Sequence, residues 1–154
     1  MMKWAKKDLE QFVKEKEYID TLFIPLIPIH TSIDEKMTGS GFQAELTNLF
    51  SRIIEEQFRG RIVLAPDYYY IAGNAEAEVE RVNNWIDSFT EKPFSYVFLF
   101  SFDRNWRKSE SDLRGELLWF PGLRNGDLQS TETQSFVKEQ AKEIVEIIKE
   151  SWQT

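Results

Sequence analysis

The chain has 154 residues, no cysteine, one histidine and a formal net charge of −7. Its length fits one α/β domain over residues 1–154, large enough to bury about 70% of the surface its unfolded form exposes. The missing cysteines exclude a disulfide framework, a thiolate zinc site and a cysteine nucleophile, and they suit a cytoplasmic location. The negative charge disfavours nucleic acid, whose phosphates it repels.

No apolar run reaches the ~20 residues of a membrane helix. The longest are Leu22–Ile29 and Tyr96–Phe102. The start of the chain carries Lys3, Lys6 and Lys7 but not the apolar stretch of a secretory signal.

Lys6–Tyr18 reads as a charged helix with Leu9, Phe12 and Val13 on a narrow apolar stripe. Thr21–Ile29 is apolar without alternation, as expected of a strand buried on both faces. Pro25 and Pro28 have no amide to donate, so the pattern predicts a short strand over Leu22–Leu26 with Pro28 in the exit. Phe42–Phe58 follows helical spacing for four turns, and Gly60 stands where a left-handed cap is expected. Arg61–Ala65 is a second strand, which Tyr68–Ile71 continues in extended form after Pro66-Asp67. Ala75–Phe89 is a helix.

Tyr96–Phe102, aromatic and β-branched, is the strongest strand. Arg104–Leu113 reads as loop and leads to a fourth strand over Glu116–Phe120. Thr131 is expected to cap the last helix by accepting from the Gln134 amide, and that helix runs to about Trp152. Alternating strands and helices predict a three-layer αβα sandwich around a four-stranded, mostly parallel sheet of order 2-1-3-4. The fourth strand, reached without a helical stripe, is open to an antiparallel edge placement.

In such sheets ligands bind beyond the carboxyl ends of the strands, where the order of connections reverses. That places a site between the first and third strands. His30–Gly41 is long for a strand-to-helix connection. It holds His30, the chain's one imidazole, as a general base or ligand contact. Thr38, Gly39, Ser40 and Gly41 stand as an anion cradle before a helix, and Asp67 and Asp103 as polar orienters. Each has an ordinary reading too: a backbone-bonded histidine, a capping hydroxyl, turn carboxylates. The chain has no G-x-G-x-x-G, phosphate-binding P-loop or nucleophile elbow. No metal and no cofactor are expected.

Tyr69, Arg104, Trp106, Arg107 and Trp119 are the candidates for a contact surface, with Trp106 read as an exposed aromatic inside a basic cluster. Two functions compete. The first is a non-catalytic protein-interaction domain, preferred because no catalytic motif is present. The second is a small-molecule or anion site, nucleotide- or phosphate-like, at the carboxyl end of the sheet.

Met2-Lys3-Trp4, Tyr18-Ile19-Asp20-Thr21 leading into Ile24-Pro25-Leu26-Ile27-Pro28, and Val63-Leu64-Ala65-Pro66 together resemble the YpiF-like proteins of Bacillus and related Firmicutes over nearly the whole chain. The resemblance implies a cytosolic bacterial protein with no established activity, and so assigns no site residue.

Overall fold

The computed structural model describes residues 3–123 and 126–154, so Met2 of the resemblance lies outside the described residues. Helix α1 (Lys6–Lys14) leads to strand β1 (Thr21–Ile29), helix α2 (Asp34–Gln57), strand β2 (Ile62–Leu64) and strand β3 (Tyr68–Ile71). A 3₁₀ turn, Ala75–Glu78, enters helix α3 (Val79–Asp87), followed by strand β4 (Tyr96–Ser101). A 3₁₀ helix over Arg104–Asp112 connects to strand β5 (Glu116–Trp119), and helix α4 (Thr131–Gln153) closes the chain.

The strands run β2-β1-β4-β5, with β3 also paired to β1, and every pairing is parallel. The α/β class therefore holds, with one correction and one open point decided. The sheet has five strands, because Tyr68–Ile71 pairs separately with the second half of β1. The last strand is parallel, because the 3₁₀ helix over Arg104–Asp112 supplies the crossover that the sequence offered only as loop.

β1 is the central strand over its full nine residues despite Pro25 and Pro28. The hydrogen bonds explain why. The Thr21 amide donates to the Arg61 carbonyl and the Phe23 carbonyl accepts from Ala65, so odd positions of β1 face β2 and β3. The Asp20 carbonyl accepts from Tyr96, so even positions face β4. Pro25 thus meets the gap where Ala65–Asp67 leaves the sheet between β2 and β3. Pro28 faces the β4 side beyond the last β1–β4 pair, Pro25 with Phe100. Each missing amide falls where no acceptor waits.

Leu22, Ile24 and Leu26 point to one face, where Trp106 and Val82 join the core and Phe12 packs against it. Phe23 points to the other, against Leu46, Phe50 and Ile54 of α2 and Val137, Ile144 and Ile148 of α4. α1 is shorter than expected and buries no residue completely; Val13, read as core, is exposed. The cap of α4 is Ser130, whose hydroxyl accepts from the Thr133 amide at 3.1 Å, one residue before the expected Thr131.

A polar knot covers the amino end of the sheet. Asp20 takes two hydrogen bonds from the Arg61 guanidinium, at 2.9 and 3.1 Å. The same guanidinium lies 3.8 Å over the Trp152 ring, whose Nε1–H donates to Thr21 Oγ1 at 3.0 Å. The last turn of α4 is thereby tied to the first residue of β1.

Candidate functional site

β4 leaves the sheet at Ser101 while β1 continues to Ile29, so β1 overhangs its neighbour. Below that overhang lies a cleft of about 340 Å³ whose walls include Pro28 and His30 from β1 and its exit, Gln43 and Thr47 from α2, and Asp103 and Arg104 after β4. Its place is the reversal point of the sheet, between β1 and β4.

Asp103 is held by a chain of donors that starts in the core. Trp106 is 0% exposed, and its Nε1–H donates to Tyr70 Oη at 2.7 Å. The Tyr70 hydroxyl donates in turn to Asp103 Oδ2. Oδ1 accepts the Asn105 amide at 3.0 Å, and the Asp103 amide donates to Ser101 Oγ at 2.9 Å. Ser101 Oγ–H reaches back to the Leu26 carbonyl at 3.1 Å. Burial first, and the adjacent Asp103 charge second, push the Tyr70 hydroxyl far above its usual range. It therefore stays protonated and keeps donating. A carboxylate has about four acceptor positions. Two are used internally, and the half-buried Asp103 keeps the others for the cleft.

The structure brings His30 and Asp103 together around one cleft. His30 is half-buried, and its backbone amide approaches Ser40 Oγ at 3.4 Å. Its imidazole can offer a donor, an acceptor or both.

Thr38, Gly39, Ser40 and Gly41 are not a cradle. α2 begins at Asp34, eight residues before the expected Phe42, so these four lie inside a helix and their amides are taken by its own carbonyls. The first turn carries Asp34 and Glu35, which repel an anion. Ser40 is 6% exposed and donates to the Met37 carbonyl at 2.8 Å; Thr38 Oγ1 donates to the Glu35 carbonyl at 3.0 Å.

Asp67 is not part of the cleft either. It precedes Tyr68, which pairs with Leu26, so it sits level with Pro25. That is five residues, about 16 Å of strand, short of His30. Burial raises its carboxyl above the ordinary range, against a smaller opposing effect of the hydrogen bond from Tyr69. The folded chain then holds that proton more tightly than the unfolded chain, and Asp67 subtracts stability as the pH rises through its folded value. Asp67→Asn is expected to be more stable than the parent at neutral pH, with the gap closing as the pH falls toward 3.8 and below. Urea titrations at the two pH values check the sign.

The contact-surface candidates separate. Trp106 is corrected from exposed to fully buried: the 3₁₀ helix turns every third residue inward, and Trp106 and Ser109 are its buried positions. Tyr69 is 45% exposed, as alternation from buried Tyr68 and Tyr70 requires. Trp119 is half-buried, with the Arg107 guanidinium 4.9 Å over its ring. Arg104 and Arg107 are exposed.

Sequence reasoning missed Gln43 and Thr47 and gave Tyr70 no role in the site. A signal for the helical pair existed. Thr47 and Ser51 interrupt the apolar stripe of α2 one turn apart, and both are buried, at 2% and 1%. Each hydroxyl bonds the carbonyl four residues back, at 2.7 and 2.8 Å.

One glycine shapes the far wall. Gly122 has φ +63°, and a Cβ there would stand 2.6 Å from Phe102 Cδ1, a ring that lines the cleft. Gly122→Ala is expected to cost about 1–3 kcal/mol of stability from the clash and the left-handed backbone together, measured as a lower urea midpoint.

Among the described residues no group of three or more His, Cys, Asp or Glu is placed to hold a metal ion. Nor is any helix among them long and apolar enough to cross a membrane.

A family model described as "Protein of unknown function (DUF2487)" matches residues 10–152. The chain is 29% identical over 153 residues to the uncharacterized protein YpiF of Bacillus subtilis (strain 168), covering 99% of each. No solved structure matches the chain.

Proposed function

Because the chain belongs to the DUF2487 family of proteins of unknown function, we propose its role from geometry: it binds a small polar molecule in the cleft at the carboxyl edge of the sheet. One observation carries this reading. The Asp103 carboxylate is fixed by the buried Trp106–Tyr70 pair, and it lines the same hollow as His30 and Thr47. A carboxylate held from behind by core residues is positioned before any ligand arrives, which lowers the ordering cost of binding. The cleft of about 340 Å³ falls in the range of small-molecule sites, ~300–1,000 Å³. The interaction-domain reading loses its main anchor, since Trp106 is inside the core. A cytoplasmic setting remains part of the proposal, supported by the absence of cysteine.

His30, the chain's one histidine, is a built-in reporter. Its ring resonances can be followed by NMR during titration with a set of neutral, cationic and anionic polar fragments. The expected result is a saturable shift of the His30 signals with at least one fragment, with the Trp152 indole at the amino end of the sheet unmoved. Asp103→Ala should remove the shift. If no fragment moves His30 more than Trp152, the cleft is not a binding site.

A further inference from the structure

Arg104, Arg107 and Lys108 looked neutralised in the sequence, because Glu110 and Asp112 follow them directly. The fold separates these charges. Asp112 lines a different hollow, against Glu76 and Asn83 beside α3. Arg104, Arg107 and Lys108 surround a second cleft, of about 470 Å³, with Glu110 as its one carboxylate. This basic cleft adjoins the carboxyl-edge cleft, since Arg104 and Asn105 line both. Among the described residues, none of the three cations enters an ion pair; those of the chain are made by Lys6, Lys16, Arg61, Arg81, Arg114 and Lys149. A chain of net charge −7 has carboxylates to spare. Three unpaired cations gathered at one rim therefore form a local field of opposite sign to the whole.

We infer that the two clefts form one two-part site for a phosphomonoester of a small polyhydroxylated molecule, with the phosphate at Arg104 and Lys108 and the hydroxyls at Asp103. The inference rests on the binding role proposed above and adds the class of ligand. The parts have complementary demands. Asp103 keeps open acceptor positions and so takes hydroxyl donors. Thr47 has given its proton to the Gln43 carbonyl, and its oxygen also accepts. The rim offers only donors and positive charge. The Arg104 guanidinium suits two oxygens of one phosphate, and Lys108 adds a point charge. Arg107 lies on the Trp119 ring and contributes to the field while its guanidinium is held in place. A ligand with an anionic end and a neutral hydroxyl-bearing body meets both halves; a dicarboxylate would set a charge against Asp103.

The test uses ribose 5-phosphate, ribose and inorganic phosphate as probes of the full-length chain at fixed ionic strength, read by the His30 ring signals. Ribose 5-phosphate is expected to bind at least about tenfold more tightly than ribose, the factor one charge-assisted hydrogen bond supplies. Lys108→Gln, at a residue that lines the basic cleft alone, should reduce that advantage while leaving the ribose affinity unchanged, and Arg104→Gln, at a residue that lines both clefts, should erase it. Rising salt should weaken ribose 5-phosphate binding alone. If ribose and ribose 5-phosphate bind equally, or Arg104→Gln changes neither, the phosphate assignment is overturned and the cleft remains a neutral-ligand site. If inorganic phosphate binds as tightly as the ester, the two-part site is wrong and the rim alone is an anion site. If a neutral fragment from the wider set moves His30 while all three of these probes fail, the ligand class is wrong and the binding role stands.

Discussion

Trp106→Ala is expected to lower the unfolding free energy by about 3–5 kcal/mol, the largest single-residue effect on the face of the sheet that Leu22, Ile24 and Leu26 pack. Trp106 is fully buried, stands edge-on to Tyr70 with centroids 5.2 Å apart, and gives its indole proton to the Tyr70 hydroxyl. Alanine leaves a cavity and removes the donor that orients Tyr70. Trp106→Phe separates the two contributions. It keeps most of the ring volume and loses the N–H, so it should cost less, about 1–3 kcal/mol. Equilibrium urea unfolding measures both. The alanine variant should also loosen Asp103, which loses the orientation of its Tyr70 donor, and broaden the His30 ring signals across the cleft. A cost below about 1 kcal/mol for Trp106→Ala would mean the indole is not in the core.

Phe50→Ala is expected to cost a similar amount, about 3–5 kcal/mol, on the opposite face. Phe50 is 0% exposed and lies 5.7 Å from Phe100, 5.5 Å from Phe102 and 6.4 Å from Phe136, centroid to centroid. It therefore joins α2, β4 and α4 in one aromatic contact. Ring pairs of this geometry add about 0.5–1.5 kcal/mol beyond the area they bury, so Phe50→Leu should recover part but not all of the loss. The Trp106 indole N–H signal should stay in place in a folded Phe50→Leu variant, because Trp106 belongs to the core on the other side of the sheet.

The strands near Ile24, Val63, Leu99 and Leu118 are legible because a strand covered on both faces must be apolar at every position. The position of the cleft is legible for a related reason: once the sheet is parallel, its reversal point fixes which strand exits meet, and His30 and Asp103 follow. What stayed hidden lies in segments whose periodicity is neither 2 nor 3.6. The 3₁₀ helix after β4 buries Trp106 and Ser109 three apart, and with one apolar residue between charged neighbours it reads as loop. The first two turns of α2 contain Gly39 and Gly41 and have no apolar stripe, so only tertiary packing marks them as helix. Asp67 was misassigned because Tyr68–Ile71 looked like a prolongation of β2. It pairs instead with the distal half of β1, which leaves Asp67 far below the edge.

The two prolines of β1 have a consequence outside the native state. Thr21–Ile29 is nine residues with no charge, a composition that without its prolines would, in a nascent or unfolded chain, stack on copies of itself into fibrils. In such a stack every residue must both give and take a main-chain hydrogen bond with its neighbour copy, and Pro25 and Pro28 can only take. The native sheet tolerates the two silent positions because flanking strands part there, whereas a self-templated stack repeats the defect in every layer. The strand most exposed to misassembly thus carries its own interruption, at no cost to the fold that uses it.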